Sequence, residues 1–165
     1  SFDITRTIMA NHIRQQIRER VGTTLTGLTT TGSNVYQSRV YNLEDSKLPA
    51  LIIYTKSEDS ELLEMGSTRT LQRNLSLVVE AYVKANSNYD DTIDTIAKEV
   101  EAVMGADVTH NDLARDSFLD STEINYNGEG EQPIAVMTMV YNIIYLTTET
   151  TADVALWGFL LWIKM

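Results

Sequence analysis

The sequence contains no cysteine, and only two prolines and two histidines occur among its 165 residues. Without cysteine the chain forms neither a disulfide framework nor a thiolate metal site, and the redox compartment stays open. Basic residues are also few, 13 Lys and Arg against 23 Asp and Glu, which gives a formal net charge of −10. That balance argues against a protein that grips nucleic acid through its phosphates. It indicates either simple solubility or a surface that DNA passes without sticking.

The short motifs of common catalytic sites are missing as well. Neither Gly-x-Ser-x-Gly nor His-Glu-x-x-His occurs, and the glycines of residues 22–34 are not followed by the Lys of a phosphate loop. His12 is interpreted as a surface or partly packed residue, and His110, with Asp107 and Asp112 nearby, has too few further ligands for a metal site. No paired carboxylates lie in an apolar setting that would raise a pKa. The sequence therefore predicts no enzyme, no metal and no cofactor.

A strongly apolar run occurs only at the C-terminal end. In residues 154–165 only Lys164 is charged, and Trp157, Phe159 and Trp162 are the large aromatic residues. A bilayer span needs about 20 apolar residues, and charged residues near the N-terminus interrupt any signal peptide, so no membrane partner is predicted. An exposed apolar tail is an aggregation hazard. It is expected to dock on its own domain, a neighbouring subunit or a membrane surface, and the polar linker before it favours a neighbour. The predicted division is a domain of residues 1–148 and a tail of residues 149–165.

Period-two alternation in residues 71–84 marks a strand with one face against a core and one wet face. Such a strand spans roughly 40 Å, more than a compact domain of this size needs. Part of it is therefore expected to bend or to project as the arm of a ribbon. Val78 and Tyr82 lie on the wet parity, which predicts that something else covers that face.

The remaining pattern predicts two helices and several further strands. The helices are expected over residues 3–22, with Asp3 as cap and Gly22 as stop, and over residues 90–104, capped by Ser87 or Asn88. Strands are expected over residues 35–43, 48–54, 118–126 (an edge strand) and 134–147. The fold class is thus α+β, a mainly antiparallel sheet of four to five strands packed by two helices, with a projecting loop or β-ribbon.

Two sets of residues are candidates for contacts with other proteins. Residues 56–69 form a polar connection, predicted to be a protruding loop that is either a solvated tip or a contact arm; its candidates are Glu58, Asp59, Glu61 and Arg69. The last strand is apolar on both faces, and one face resembles what buried protein contacts prefer. That face carries Met137, Met139, Tyr141 and Tyr145. It forms either a subunit contact, together with the aromatic tail residues, or an internal second layer.

The order of elements and several local strings resemble a known family. The strings are IRERV at residues 17–21, VYQSRVY at residues 35–41 and LPALIIY at residues 48–54, followed by the strand of residues 73–83, the helix of residues 90–104 and the strand of residues 133–145. Over roughly residues 4–148 the chain resembles the tail terminator proteins of long-tailed bacteriophages, the group of the lambda minor tail protein U. The Thr- and Gly-rich loop and the apolar tail depart from the family pattern.

The resemblance implies a structural virion protein that caps the tail tube, ends its polymerisation and offers the joining surface to the head connector. It implies a homo-oligomeric ring, a hexamer, that contacts the tail tube protein and the connector while DNA passes through it without specific binding. It also implies assembly in the bacterial host cytoplasm and a place at the head-proximal end of the virion tail. The runner-up is a head-completion or neck protein of the same virion, and a small ligand-binding α+β domain is a third reading. A ring needs two different patches on each subunit. The candidates are the face of the last strand that carries its methionines and tyrosines, called the Met/Tyr face, and the apolar tail.

Overall fold

The computed structural model describes residues 10–38, 43–128 and 133–156. Within these ranges the chain forms α1 (Ile13–Leu25), β1 (Val35–Tyr36), a 3₁₀ turn (Asp45–Lys47), β2 (Ala50–Leu62), β3 (Thr70–Lys84), α2 (Tyr89–Ala106), β4 (Asp116–Asn127) and β5 (Ile134–Thr148). The sheet order is β1-β2-β3-β5-β4, with β1 parallel to β2 and all other neighbours antiparallel. The predicted α+β class with a mainly antiparallel sheet and two helices is confirmed.

The two central strands, β3 and β5, decide which side chains form the core. They pair along their whole lengths, from Thr70 opposite Thr148 to Lys84 opposite Ile134. Because side chains alternate between the faces of a sheet, the odd-numbered residues of both strands share one face. From Leu75 and Ile143 to Val83 and Ala135, every odd-numbered residue of the two strands is buried in one hydrophobic cluster.

Both helices cover this same face of the sheet, and each does so with a single apolar stripe. The stripe of α1 is Ile13, Ile17, Val21 and Leu25, and that of α2 is Ile93, Ile96, Val100 and Met104. Residues three or four positions apart lie on one side of a helix, so both stripes enter the cluster formed by the strands. The helix predicted over residues 90–104 is confirmed.

The predicted start and end of α1 are both wrong: the helix was expected over residues 3–22 and is observed over Ile13–Leu25. The helix begins at Ile13, and His12 occupies the N-cap position, where its Nδ1 accepts a hydrogen bond of 3.1 Å from the Arg14 backbone N–H; the proposed Asp3 cap lies outside the described residues. The helix also continues past Gly22. A Cβ atom at Gly22 would lie 2.4 Å from Gln37 Nε2, so this glycine permits close packing against the following segment and does not end the helix.

Half of the polar stretch of residues 56–69 is strand, which corrects the predicted loop. β2 runs on to Leu62 and pairs with β3 up to Leu71, and only residues 63–69 connect the two strands. A register shift skips Lys56, and an extra residue of this kind exchanges the two faces of a strand. This half of β2 has few apolar side chains, so its pattern does not reveal that Ser57 to Leu62 all pair with β3.

The opposite side of the sheet carries no helix among the described residues and is called the open face here. Its even-numbered β3 and β5 residues include Val78, which is buried, and Tyr82, Val140 and Ile144, which are half-buried. None of these belongs to the main core cluster. At the two sides of the sheet, β1 comprises Val35–Tyr36; residues 37, 38 and 43 of the predicted strand are not part of it, and residues 39–42 lie outside the described residues. β4 is an edge strand as predicted.

Two adjacent isoleucines of β5 test this division between faces. Ile143 is fully buried under the helices, and Ile144 is half-buried on the open face. We expect Ile143→Ala to lower the free energy of unfolding by about 2–5 kcal/mol, because it leaves a cavity in a packed core. Ile144→Ala should cost about 1 kcal/mol or less, a surface-type loss. Equal losses in urea unfolding of the two variants would mean that the open face is covered within the subunit.

Candidate assembly surfaces

The methionines and tyrosines predicted to form a subunit contact lie inside the protein. Met137, Met139, Tyr141 and Tyr145 are each at most 3% exposed and belong to the core between sheet and helices. Their assignment as a surface contact is therefore wrong, and the alternative of an internal second layer is the one seen. The physical reason is the odd register they share with Leu75 and Val79, which turns them toward α1 and α2.

The aromatic tail residues Trp157, Phe159 and Trp162 lie outside the described residues. The segment before them, residues 149–156, folds back onto the domain. The backbone N–H of Ile13 donates to the Ala152 carbonyl at 2.9 Å, and the N–H of Leu156 donates to the Leu146 carbonyl at 2.8 Å. This segment thus satisfies one of the unpaired N–H groups at the start of α1.

Glu58, predicted as a loop contact, is instead the centre of a largely buried polar cluster at one end of the core. Its side chain is only 8% exposed, and its Oε2 accepts hydrogen bonds from Arg14 at 2.8 Å and Arg73 at 3.3 Å. The Tyr145 hydroxyl donates to its other oxygen, and the Arg73 Nε donates to Thr147 Oγ1 at 2.9 Å. Burial, followed by the Glu58 carboxylate, raises the pKa of Tyr145 above its ordinary value. The cluster joins α1 to β2, β3 and β5.

The other three loop candidates lie on the surface. Asp59 and Glu61 are exposed, and their register opposite Asn74 and Gln72 places them on the open face. Arg69 forms a bidentate ion pair with Glu149, with both N–O distances at 2.7 Å. It therefore ties the connection between β2 and β3 to residue 149.

Exposed apolar side chains concentrate in two separate places. The tip patch consists of Leu62, Leu63 and Met65 at the β2–β3 connection, where Met65 is 88% exposed. The edge patch consists of Ile124 and Tyr126 on the helix side of β4, each about half exposed, whereas the half-exposed Phe118 lies on the open face. Sequence reasoning missed both patches, because each holds only two or three apolar residues among polar ones and forms no apolar run. Their positions, at the end of a strand and on an edge strand, are the features from which they could have been predicted.

The open face carries carboxylates around a group of apolar side chains, and one carboxylate lies among them. Its paired positions carry the five carboxylates Asp59, Glu61, Glu80, Asp116 and Glu123. Among the ion pairs of the described residues, the Lys84 ammonium on this face is bound to Asp45 at 3.2 Å. At the centre, Glu80 accepts one hydrogen bond from Tyr54 and one from Tyr82, both at 2.6 Å.

A buried histidine and serine lie beside the end of α2. His110 Nε2 is 3.0 Å from Ser117 Oγ, and that hydroxyl donates to the Val108 carbonyl at 2.9 Å. The histidine therefore donates to the serine, whose own proton is directed at a carbonyl, an arrangement opposite to that of an activated nucleophile. Residues 110–112 all have positive φ angles, from 50° to 64°, a left-handed turn that places His110 under β4. Across the described ranges, no group of three acidic or histidine side chains has the geometry of a metal site.

Comparison with protein families assigns the chain. A family model described as phage minor tail protein U matches residues 12–145. The matched region runs from the N-cap of α1 into the second half of β5. The chain belongs to the phage minor tail protein U family. The resemblance drawn from the sequence is thereby confirmed, and the protein is a structural component of a phage tail and of the virion.

Two further comparisons give weaker similarity or none for this tail protein. Among solved structures, a chain of the virion of a native gene transfer agent particle matches with 13% sequence identity and a TM-score of 0.39, covering 87% of this chain and 99% of that chain. A search of curated proteins gives no significant match. In the part of the chain that the structure describes, no helix is long and apolar enough to cross a membrane.

The two arginines of the Glu58 cluster should contribute unequally to the stability of the tail protein. The Arg73 side chain is 12% exposed and that of Arg14 is 39% exposed. Removing one partner of a buried ion pair costs roughly 3–5 kcal/mol, whereas an exposed pair is worth about 0–1 kcal/mol. We expect Arg73→Met to lower the free energy of unfolding by about 3 kcal/mol and Arg14→Met by about 1 kcal/mol. Chemical denaturation of both variants measures the difference, and equal losses would contradict it.

The two histidines should make this family member less stable in mild acid. Burial is the main cause that lowers the pKa of both His110 and His12 below the ordinary 6.5. The folded state then binds the proton less readily than the unfolded state, so stability that is present above about pH 6.5 is lost as the pH falls below it. His110→Asn suits a positive φ, and His12→Asn keeps a capping side chain. Each variant should flatten the melting temperature between pH 7 and 5, and the double variant most; an unchanged slope in all three would contradict the assignment.

Proposed function

We propose that this protein ends growth of the phage tail tube by docking on its finished end as a six-subunit ring, where it also offers the joining surface to the head connector. Membership of the phage minor tail protein U family carries this proposal. In this role the protein occupies the head-proximal end of the tail and performs no catalysis. The inverted His110–Ser117 hydrogen bond supports the absence of a nucleophilic site.

The tip patch and the edge patch support a ring with head-to-tail contacts. A closed ring needs two different surfaces on each subunit, one of which binds the other on the next copy. The two patches are separate on one subunit, and each exposes large apolar side chains that a partner would bury. They take the place of the Met/Tyr face, which is occupied by the core. The aromatic tail residues remain a second candidate contact.

The charge of the protein suits a channel through which DNA passes. The net charge is −10. Acidic surfaces repel phosphates, so DNA would meet little attraction at such a wall. Two surface clefts among the described residues hold about 170 Å³ each, less than the roughly 300 Å³ at which small-molecule sites begin. This favours the structural role over a ligand-binding domain.

Electron microscopy of the purified protein, alone and with isolated tail tubes, tests the ring. We expect six-fold rings, or caps on tube ends that stop further addition of tube protein. A protein that stays monomeric under both conditions would overturn the proposal. Binding to a portal complex in place of tube ends would favour the head-completion reading.

Variants of the two patches test how the ring closes. We expect Met65→Asp and Ile124→Asp each to abolish rings, while Val154→Asp, at an exposed site outside both patches, leaves them intact. A mixture of the first two variants retains one intact contact between unlike subunits. It should therefore form heterodimers and no rings in sedimentation velocity. Rings formed by either single variant would exclude that patch from the subunit contact.

A further inference from the structure

We propose that Glu80, held by Tyr54 and Tyr82, receives an arginine or lysine side chain of another virion protein that docks on the open face. The identity of the partner as a virion protein rests on the proposed function. The recognition chemistry rests on the geometry of the three side chains. Neither the family match nor the ring contacts described above assigns a role to this carboxylate.

The two tyrosines fix the carboxylate in place. Tyr54 lies on β2 and Tyr82 on β3, and their hydroxyls donate to different oxygens of Glu80, both at 2.6 Å. Burial and the hydrogen bond to Glu80 raise the pKa of Tyr82 well above its ordinary value, so this hydroxyl stays a donor at neutral pH. An ionised carboxylate offers about four acceptor positions. Two are taken by the tyrosines, which leaves the others available to a further donor.

The charge of Glu80 has no cationic partner among the ion pairs of the described residues. Lys84, four residues along the same strand and on the same face, is bound to Asp45. Ile52, directly opposite Glu80 on β2, and Val78 are buried, and Val136 and Val140 flank the facing position on β5. A charge beside apolar surface attracts an opposite charge more strongly than one in open water. The site thus favours a cation whose apolar neighbours pack on the half-buried Val136 and Val140.

A protein side chain fits this site better than other cations or DNA. Within the described ranges no helix lies over the open face, so its sheet surface suits a protein surface, whereas small-molecule sites are concave. The surrounding carboxylates repel nucleic acid phosphates. An arginine would bind a preoriented carboxylate with two parallel hydrogen bonds. Glu80 is therefore assigned to a protein contact.

The first experiment measures docking of the full chain on isolated tail tube ends. We expect Glu80→Gln, which keeps the shape and can still bond both tyrosines, to weaken docking about tenfold or more. Glu123→Gln is the matched control, since it removes an exposed carboxylate from the same face and lies across Thr138 from Glu80. Melting temperatures show that both variants are folded. Docking of Glu80→Gln with wild-type affinity would overturn the inference and leave the proposed function standing.

The second experiment needs no virion partner. The probe is the tripeptide acetyl-Val-Arg-Val-amide, with its citrulline counterpart as the uncharged control, followed by NMR of labelled tyrosine rings. We expect the arginine peptide to bind about fivefold more tightly than the citrulline peptide, with shifts at Tyr54 and Tyr82, and we expect Glu80→Gln to remove that preference. Failure of docking by the wild-type chain, with this preference present, would overturn the proposed function alone. Absence of the preference would overturn the inference.

Discussion

The pairing of β3 with β5 is the constraint on which the rest of the structure depends. Side chains of a strand alternate, so a pairing continuous from Thr70 to Lys84 commits every residue of both strands to one of two faces. The described chain has two helices, and both cover the odd-numbered face. The other face is left with valines, isoleucines and tyrosines, some buried and some half-buried, between carboxylates. The surface proposed to receive another virion protein is a consequence of this division.

The Glu58 cluster fixes which β2 side chains face the helices in the part of the β2–β3 pair that lies beyond the hydrophobic core. A slip of β2 by one residue would move Glu58 from the helix side to the open face and bring Ser57 or Asp59 into its place. Ser57 would leave the two arginines and Tyr145 without a shared carboxylate in a largely buried site, which is costly, and the side chain of Asp59 is one methylene shorter than that of Glu58. A buried charged group thus selects one register in a stretch where apolar side chains are too few to select it. The bulge at Lys56 is what brings Glu58 to the helix side.

The sequence predicted the elements with strong periodicity and missed those defined by partners distant in the chain. The stripe of α2 and the alternation of β3 carry the fold class, since helix and strand periods differ clearly. The second half of β2 was interpreted as a loop because its backbone hydrogen bonds come from β3, which polar side chains do not reveal. The α1 start was misplaced because its cap is a histidine, an uncommon capping residue.

The candidate site was harder to predict than the fold. A strand that is apolar on both faces has two physical explanations, an internal layer or a subunit contact, and local sequence does not choose between them. The choice depends on where α1 and α2 lie, which is tertiary information. The two tyrosines that hold Glu80 come from separate strands, Tyr54 from β2 and Tyr82 from β3. No window along the chain shows them together, and the tip and edge patches, although each is local in sequence, are recognised only once the ends and edges of the sheet are known.

The acidic residues of the edge strand β4 affect whether two copies of the protein can pair through this edge. An exposed edge is a template for sheet-to-sheet growth. If two copies paired their β4 strands antiparallel over the full length of residues 116–127, Asp120 of each would stand opposite Glu123 of the other, and the skipped position at Asp120 would distort the ladder further. Like charges at two places in one short pairing discourage fibre formation. Sheet-to-sheet growth of free subunits through this edge is therefore disfavoured.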